Sequence, residues 1–444
     1  MSTPERCNVL LVGTGGREHA LAWKLRQSPR LGTLWVQPDA NAGVRALGQV
    51  CDAPFTARER FFLRSWLDKN EVQLVVIGPE GPLAEGLADE LAAPHRRVFG
   101  PVKEGARLEF DKAFAKQVMR QASVPTADGR SFSNYEQARA YVMARDVPLV
   151  VKAAGLCAGK GVVVCDDVTQ ALAALDRIMQ SKEFGAAGAT VVVEERLVGQ
   201  EMSVLALVDG RTITVLDPCQ DHKQVGEGDT GPNTGGMGAY CPTPLATDTL
   251  MAEISREVLV PMVDAMRRSD VEFRGVLYAG MMLTPGGPKV LEFNTRFGDP
   301  ETQPLMARLQ GDLVDILWKT AGGELDQADV GFDPRAACCV VVCAEGYPGA
   351  IVKGQPITGI EEAEACAGSG QQVVVFHAGT TRNAEGQLVT AGGRVLGVTA
   401  LAQDLAAAQA LANQAAACIQ FRGAFFRRDI GHRVLKPASA GAAN

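Results

Sequence analysis

The decapeptide EFNTRFGDPE occupies residues 292–301 and follows the strand-like run PKVL. Alternate side chains of an extended strand share a face, so Glu292, Asn294 and Arg296 are expected to point the same way. A carboxylate, an amide oxygen and a guanidinium suit a Mg²⁺ ion that bridges phosphate oxygens, because Mg²⁺ prefers hard oxygen ligands. A strand with one solvated polar face would show the same pattern, and alternation alone favours that simpler interpretation.

The turn after this strand shifts the interpretation towards a binding site. Gly298-Asp299-Pro300-Glu301 adds a tight turn and two carboxylates beside Arg296. Opposite charges gathered at the end of a strand are typical of a place where a metal ion and a phosphate group meet. We therefore predict that residues 292–301 form the centre of a metal-and-phosphate site.

A glycine-rich hairpin is predicted near residue 155. PLVVKAA and VVVCDD flank the turn Gly155–Gly161, which contains Lys160 and follows Lys152. The turn is not a Walker A loop, because that motif has four residues between its glycines, Ser or Thr after its lysine, and then a helix. Backbone amides and a lysine in such a hairpin could close over a triphosphate, although a plain glycine-rich hairpin fits equally well.

Acidic residues follow the next predicted strand, TVVVEERL. Glu194 and Glu195 end this strand, and Glu201 lies beyond the turn Val198-Gly199-Gln200. Together with the hairpin they could frame a nucleotide, with strand-end backbone at the adenine edge and a carboxylate at the ribose hydroxyls. A solvated strand edge is the alternative.

Residues 1–110 alternate strand-like and helix-like segments, beginning with NVLLVG and REHALAWKLRQS. Strands separated by helices predict a parallel sheet whose ligands bind at the carboxyl ends of the strands. The loop Gly13–Arg17 lies at such an end and opens a helix, which is an anion-binding position. Glu18 replaces the third glycine of the dinucleotide fingerprint, which disfavours NAD, although Asp39 after the next strand leaves it open.

Composition excludes several classes of function. The net charge is −7 and no basic block carries interleaved aromatics, so nucleic-acid binding is not expected. No apolar run reaches the ~18–20 residues that span a bilayer, so no membrane association is expected either. The cysteines show no CxxC pair or metal-ligand spacing, which predicts reduced thiols and a cytoplasmic location. The tail 437–444, PASAGAAN, is expected to be disordered.

Seven motifs of the sequence resemble segments of a known family. The five shorter motifs are GTGGREHALAWK (13–24), GPEGPLAEG (78–86), AGKGVVV (158–164), FHAGT (376–380) and GGRVLGVTA (392–400). The two longest and most specific are QDHKQVGEGDTGPNTGGMGAY (220–240) and EFNTRFGDPETQP (292–304). Over residues 8–435 the chain resembles the phosphoribosylamine–glycine ligases, or glycinamide ribonucleotide synthetases, of the ATP-grasp superfamily.

The resemblance implies an α/β and α+β multidomain fold. A Rossmann-like parallel-sheet domain that binds phosphoribosylamine is expected over 1–110. An ATP-grasp core is expected over 111–331, with a small lid lobe at 124–196, and a mixed α/β C-terminal domain over 332–436. A monomer is expected.

The resemblance also implies a reaction. ATP, glycine and 5-phosphoribosylamine would give glycinamide ribonucleotide, ADP and phosphate, through glycyl phosphate, in purine biosynthesis. Such chemistry needs positioning and charge neutralisation rather than a protein nucleophile. The implied roles are magnesium or manganese at Glu292 and Asn294; ATP at Lys112, Lys152, Lys160, Glu194, Glu195, Leu197 and Glu201; glycine and the transferring phosphate at Asp221, Arg296 and Asp299; and phosphoribosylamine at Gly15, Gly16, Arg17, Asn41, Gly43 and Glu80.

Several positions depart from the family pattern, and alternatives remain. Ala154, Cys157 and Gln224 stand where the family commonly has other residues, and Gln224 in particular could weaken anion binding. The nearest alternative is another ATP-grasp ligase with a different carboxylate or amine. A dinucleotide-dependent oxidoreductase that uses the Gly13 loop and a non-catalytic nucleotide sensor are the further alternatives.

Overall fold

A five-stranded parallel sheet forms the N-terminal region of the computed structural model, which describes residues 3–157 and 160–435. The elements are β1 (Cys7–Val12), α1 (Gly16–Leu25), β2 (Leu31–Val36), α2 (Ala42–Leu47), β3 (Gln49–Val50), α3 (Arg60–Lys69), β4 (Val72–Ile77), α4 (Glu80–Ala84), α5 (Leu87–Leu91), β5 (Arg97–Phe99) and α6 (Lys103–Phe110). The strand order is β3-β2-β1-β4-β5. Val9 and Leu11 of β1 pack into one core and Leu10 into another, because helices cover both faces of the sheet. The predicted Rossmann-like sheet is confirmed.

A small antiparallel sheet follows, as the hairpin pattern predicts. Its elements are α7 (Lys112–Gln121), β6 (Gly129–Phe132), α8 (Tyr135–Met143), β7 (Leu149–Ala153), β8 (Val162–Cys165), α9 (Val168–Leu175) and β9 (Val191–Glu195), in the strand order β6-β9-β7-β8. One face of this lid sheet packs on α8 and α9 through Val151 and Val193. Residues 158–159, including Gly159 of the predicted phosphate turn, lie outside the described residues.

A four-stranded sheet supplies the floor below the lid. The chain continues as β10 (Gln200–Asp209), β11 (Ile213–Val215), β12 (Gln220–Asp221), β13 (Gln224–Gly226), β14 (Thr230–Asn233), β15 (Gly238–Cys241), α10 (Asp248–Ile254), α11 (Val260–Arg268), β16 (Arg274–Thr284), β17 (Gly287–Asn294), α12 (Thr302–Arg308), β18 (Leu309–Gln310), α13 (Leu313–Gly322) and β19 (Gly331–Phe332). The floor order is β11-β10-β16-β17. Leu291 is an extra residue in β17, because Gly280 pairs with Glu292 and Met281 with Val290.

The C-terminal region contains β20 (Ala336–Cys343), α14 (Ile360–Glu364), β21 (Gln372–His377), β22 (Thr380–Arg382), β23 (Leu388–Thr390), β24 (Arg394–Ala402), α15 (Leu405–Cys418) and α16 (His432–Leu435). Its sheet has the order β12-β15-β20-β24-β21, so it includes two short strands, β12 and β15, from the glycine-rich part of the chain. Residues 221–244 are predicted from their composition to form a long loop, but β15 within them pairs with β20. The domain boundaries stay predictions.

Two simpler expectations concern membranes and thiols. In the described part of the chain, no helix is both long and apolar enough to cross a membrane. Every cysteine is a free thiol, as predicted. The tail 437–444 lies outside the described residues. The cytoplasmic location and the monomeric state stay predictions.

Candidate active site

The end of β17 brings the predicted metal residues and Arg296 together. Arg296 Nη2 donates to Asn294 Oδ1 at 3.2 Å, which places these two side chains on one side of the strand end. Arg296 Nη2 also lies 2.9 Å from Glu109 Oε1, and its Nε lies 3.3 Å from Glu80 Oε2. The guanidinium is thus held between carboxylates of α4 and α6. Helices α4 and α6, which are distant from β17 in sequence, therefore hold the guanidinium of Arg296 in place.

Glu292 differs from its neighbours because its carboxylate has no partner among the residues that the structure describes. Within residues 3–157 and 160–435 it forms no hydrogen bond or ion pair. Burial raises its pKa, but the charges of Lys223, Lys112 and Lys152 outweigh burial, and the pKa falls below its ordinary value. An ionised, unpartnered carboxylate with an amide oxygen nearby fits Mg²⁺, which takes few protein ligands and fills its shell with phosphate and water oxygens. In the same described residues, no group of three or more His, Cys, Asp or Glu gathers around a metal position.

Glu109 contacts the candidate site residue Arg296, and the sequence patterns do not single it out. Its Oε2 accepts from the Thr295 backbone amide at 2.7 Å, while its Oε1 faces Arg296. Burial raises the pKa of Glu109, and the charge of Arg296 offsets this only in part. No local motif marks this glutamate, since it ends an ordinary amphipathic helix.

Asp299 connects three regions of the chain at the turn after β17. It accepts from the Arg17 backbone amide at 3.3 Å and from Gln303 Nε2 at 3.0 Å, and it pairs with Arg394 at 3.4 Å. Burial raises the pKa of Asp299, but the charges of Arg394 and Arg17 outweigh burial and hold the pKa below its ordinary value, so the carboxylate is ionised. Arg394 also donates to the carbonyl of Gly235 at 2.6 Å. The motif that contains Arg394 suggests no role for it from sequence alone.

Asp221 has a buried oxygen without a partner. Its Oδ1 forms no hydrogen bond with any residue in the described ranges. Burial and the charge of Glu301 raise the pKa of Asp221 well above its ordinary value. Glu301 is itself tied down, because Tyr278 and Ser203 both donate to its Oε1, at 2.6 and 3.0 Å. A cationic ligand group would complete this pocket, since unpartnered buried acceptors are costly.

The three carboxylates among the predicted nucleotide residues are all paired with lysines. Lys152 Nζ lies 2.7 Å from Glu194 Oε2, and Glu195 pairs with Lys289 at 2.9 Å. Glu201 pairs with Lys223 at 2.6 Å. Of the other predicted nucleotide residues, Lys112 at the start of α7 and Leu197 are half-buried, and Lys160 is exposed at the hairpin. The glutamates therefore serve first as partners of lysines.

The N-terminal loop is shaped around Glu18. The Glu18 carboxylate accepts from the Gly15 amide at 2.6 Å and pairs with Arg17 Nε at 2.6 Å. Gly13 has a φ of +127°, and a Cβ there would strike the Glu18 side chain. Glu18 thus occupies an amide that a dinucleotide pyrophosphate would use, which argues against the oxidoreductase alternative.

Several predicted substrate residues hold this loop in place. Arg17 Nη1 donates to the Phe297 carbonyl at 3.0 Å, so its guanidinium faces the floor rather than the opening. Asn41 is buried, caps α2, and donates to the carbonyls of Gly15 and His377, each at 2.8 Å. Gly43 packs beneath the His19 ring, and Gly16 lies against Gln303. Within this set, Glu80 pairs with Arg296 Nε at 3.3 Å, and the Gly16 amide forms no hydrogen bond with the residues that the structure describes.

Sequence profiles of one family match almost the whole chain. The phosphoribosylglycinamide synthetase N domain matches residues 7–109, its ATP-grasp (A) domain residues 110–302, and its C domain residues 337–433. The phosphoribosylamine–glycine ligase of Rhodopirellula baltica is 49% identical, over 97% of this chain and 98% of that protein. The corresponding ligase of Nostoc sp. is 47% identical, over 96% and 99%.

Solved structures show the same architecture. The crystal structure of the phosphoribosylamine–glycine ligase of Thermotoga maritima has a TM-score of 0.81 at 31% identity, and covers 95% of this chain and 100% of that one. The biotin carboxylase–β,γ-ATP complex from Campylobacter jejuni has a TM-score of 0.70 at 15% identity, and covers 95% of this chain and 93% of that one. The second likeness concerns the fold alone.

Proposed function

This chain belongs to the phosphoribosylglycinamide synthetase family. We propose that it joins glycine to 5-phosphoribosylamine at the candidate site described above, around the end of β17. It is an ATP-grasp ligase of purine biosynthesis, and we propose Mg²⁺ as the metal ion that accompanies ATP. The observation that carries the assignment of the site is Glu292, an ionised carboxylate without a partner in the described chain, in the field of Lys112, Lys152 and Lys223.

The nucleotide would lie between the lid sheet and β17. Lys112, Lys152 and Lys160 would face its phosphates, and the backbone of 195–197 would face the adenine edge. Glu292 and Asn294 would hold Mg²⁺, or Mn²⁺ in its place. When bound, the ion supplies neutralisation of the charge that builds on the transferring phosphoryl group.

Glycine would bind across the floor. Its ammonium group would donate to Asp221 Oδ1, which is buried and unsatisfied within the described structure, and its carboxylate would face Arg296. An arriving ammonium group also favours the ionised form of Asp221, whose pKa burial and Glu301 otherwise raise. The glycine carboxylate would thereby be oriented towards the γ-phosphate.

Phosphoribosylamine would approach from the N-terminal loop. The amide of Gly16 would face its phosphate and Glu80 its ribose hydroxyls. Arg17 and Asn41 would position the loop, since Arg17 donates to the Phe297 carbonyl and Asn41 to the Gly15 carbonyl. Gly43, which packs against the His19 ring, stays a predicted substrate residue.

The reaction would proceed in two displacements. A glycine carboxylate oxygen attacks the γ-phosphorus, the bond to the β–γ bridging oxygen breaks, and ADP leaves glycyl phosphate behind. The amine nitrogen of phosphoribosylamine then attacks the acyl carbon, and the carbon–oxygen bond to phosphate breaks. The departing phosphate takes the proton that the amine loses. Orientation by Asp221 and Arg296 and exclusion of water from the acyl phosphate are the contributions of the protein.

The test is release of phosphate from ATP under substrate omission. Release is expected only with both glycine and freshly prepared phosphoribosylamine, and mass spectrometry should identify glycinamide ribonucleotide. Alanine, β-alanine and ammonia serve as matched alternatives to the two co-substrates. Faster release with one of these alternatives, or release independent of the amine, would move the assignment to a different ATP-grasp ligase.

A further inference from the structure

Lys116, Lys152 and Glu194 form a buried triad of charged side chains beside the proposed nucleotide site. Lys116 of α7 lies with its Nζ 2.6 Å from Glu194 Oε1, and Lys152 of β7 lies with its Nζ 2.7 Å from Glu194 Oε2. The side chains of Lys116, Lys152 and Glu194 are only 2, 8 and 5% exposed. Glu194 thus has one ammonium group on each oxygen.

The two lysines differ in how many of their donors are used. Lys116 Nζ meets Glu194, Thr126 Oγ1 at 2.9 Å and the Ala127 carbonyl at 2.8 Å, which satisfies all three N–H bonds. Lys152 Nζ meets Glu194 and the Leu291 carbonyl at 3.1 Å, so one N–H bond remains without a partner in the described residues. Lys116 is therefore fully occupied, and Lys152 keeps one donor for a ligand.

The charge of the triad influences the site through Lys152, which lowers the pKa of Glu292. Burial raises the pKa of Glu194, but Lys152 and Lys116 outweigh burial and hold it below the ordinary value, so Glu194 is ionised. Lys152 is among the cations that lower the pKa of Glu292 against the effect of burial. The triad carries one more positive charge than negative. Without Lys116, the remaining pair would be neutral, and nearby phosphates would feel little net attraction.

We propose that Lys116 is a positioning residue for nucleotide binding: it neutralises Glu194, so that Lys152 presents its charge and its remaining donor to the ATP phosphates. Lys116 itself, with three protein acceptors, does not touch the nucleotide. The inference rests on the proposed function only in placing the ATP phosphates beside Lys152.

The test separates the charge of Lys116 from its hydrogen bonds. Lys116→Gln keeps a donor but removes the charge, and it is expected to weaken binding of the β,γ-imido analogue of ATP with Mg²⁺ by about tenfold. Calorimetry with neither glycine nor phosphoribosylamine present measures this affinity. The result is therefore independent of whether the ligase assignment is correct, which phosphate release tests separately. Unchanged affinity in Lys116→Gln would overturn the proposal.

Two further variants exclude a merely structural role. Lys116→Gln/Glu194→Gln has the net charge of the wild-type triad and is expected to restore affinity to within about threefold of wild type. A double variant as weak as the single one would show that Lys116 only supports the fold, and would overturn the proposal. Glu194→Gln alone keeps both lysines and should bind the analogue at least as tightly as wild type, with weaker binding counting against it. Thermal unfolding checks that each variant is folded, and Glu194→Gln decides the matter where Lys116→Gln does not fold.

Discussion

Glu194 in the lid sheet and Glu292 on the floor differ in whether the carboxylate is paired with protein groups. On the lid wall, Glu194 has a lysine on each carboxylate oxygen, at 2.6 and 2.7 Å. On the floor, Glu292 of β17 forms no hydrogen bond with any residue the structure describes, and neither does Asp221 Oδ1 of β12 in the C-terminal sheet. A buried polar atom without a partner is destabilising, so Asp221 Oδ1 is expected to receive its partner from a ligand, whereas the carboxylate of Glu292 is half-exposed and open to one. The contrast distinguishes groups that await ligands from groups that position them.

The largest effect is expected for Glu292→Gln. Removing this uncommitted carboxylate should lower kcat by at least about a thousandfold, because charge on the transferring phosphoryl group loses its metal anchor. Phosphate release in the presence of both co-substrates measures the loss. Glu183→Gln is the control, since Glu183 is exposed on the lid and pairs with Arg177, away from the floor. Near-normal turnover in Glu292→Gln would show that the floor has been misassigned.

Asp221→Asn should act on glycine alone. The neutral amide cannot pair with an ammonium group in a buried pocket, so kcat/KM for glycine is expected to fall about a hundredfold. The KM for ATP should change by less than about threefold, because the lid wall is untouched. Steady-state kinetics with each substrate varied in turn distinguishes these effects. A parallel rise of all three KM values would contradict the glycine assignment.

Asn41→Ala tests a positioning group in the N-terminal loop. The change removes the side-chain cap of α2. It also removes the amide nitrogen whose two N–H bonds are shared among the carbonyls of Thr14, Gly15 and His377. Stability is expected to fall by about 1–3 kcal/mol, and the KM for phosphoribosylamine should rise several-fold while that for glycine stays constant. Urea unfolding and steady-state kinetics provide the two readouts. A raised KM with unchanged stability would make Asn41 a direct ligand of the substrate.

The smallest effect concerns pH and a buried histidine. Burial, with Arg433 and Arg427, lowers the pKa of His222 from 6.5 to about 3. The unfolded chain therefore binds the proton more tightly, and stability is lost as pH falls from about 6.5 towards 3, by on the order of 1 kcal/mol per pH unit. His222→Gln should unfold with a shallower dependence of the urea midpoint on pH between 7 and 5. An equal dependence in both proteins would contradict the assignment.

Much of the fold follows from local patterns. Apolar runs ending in glycine, separated by helix-like segments, predict the parallel sheet, and the pattern around Lys152 predicts the antiparallel hairpin of β7 and β8. The extra residue Leu291 and the pairing of β15 with β20 are not predicted, because both depend on partner strands elsewhere in the chain. Register and distant pairing are properties of two segments together, so no single window of sequence contains them.

The site shows the same division. Alternation along β17 predicts that Asn294 and Arg296 share one side, because that geometry is local. Glu109 and Arg394 reach the site from a helix and a strand far away in sequence, and only the tertiary structure brings them in. Arg17 has the residue type of a phosphate ligand, yet its Nη1 donates to the Phe297 carbonyl, which supports the positioning role proposed for it. Residue type indicates what a side chain can bind, whereas its neighbours decide whether it is available.

The transfer of a glycine oxygen to phosphate tests the central claim most directly. Glycine labelled with ¹⁸O in both carboxylate oxygens is incubated with ATP, Mg²⁺, fresh phosphoribosylamine and the wild-type chain, and the mass of the released phosphate is measured by mass spectrometry. If the floor orients glycine for attack on the γ-phosphorus, each released phosphate carries one ¹⁸O atom, and the glycinamide ribonucleotide retains the other. Unlabelled phosphate accompanied by product would contradict the acyl phosphate route and the proposed roles of Asp221, Arg296 and Glu292.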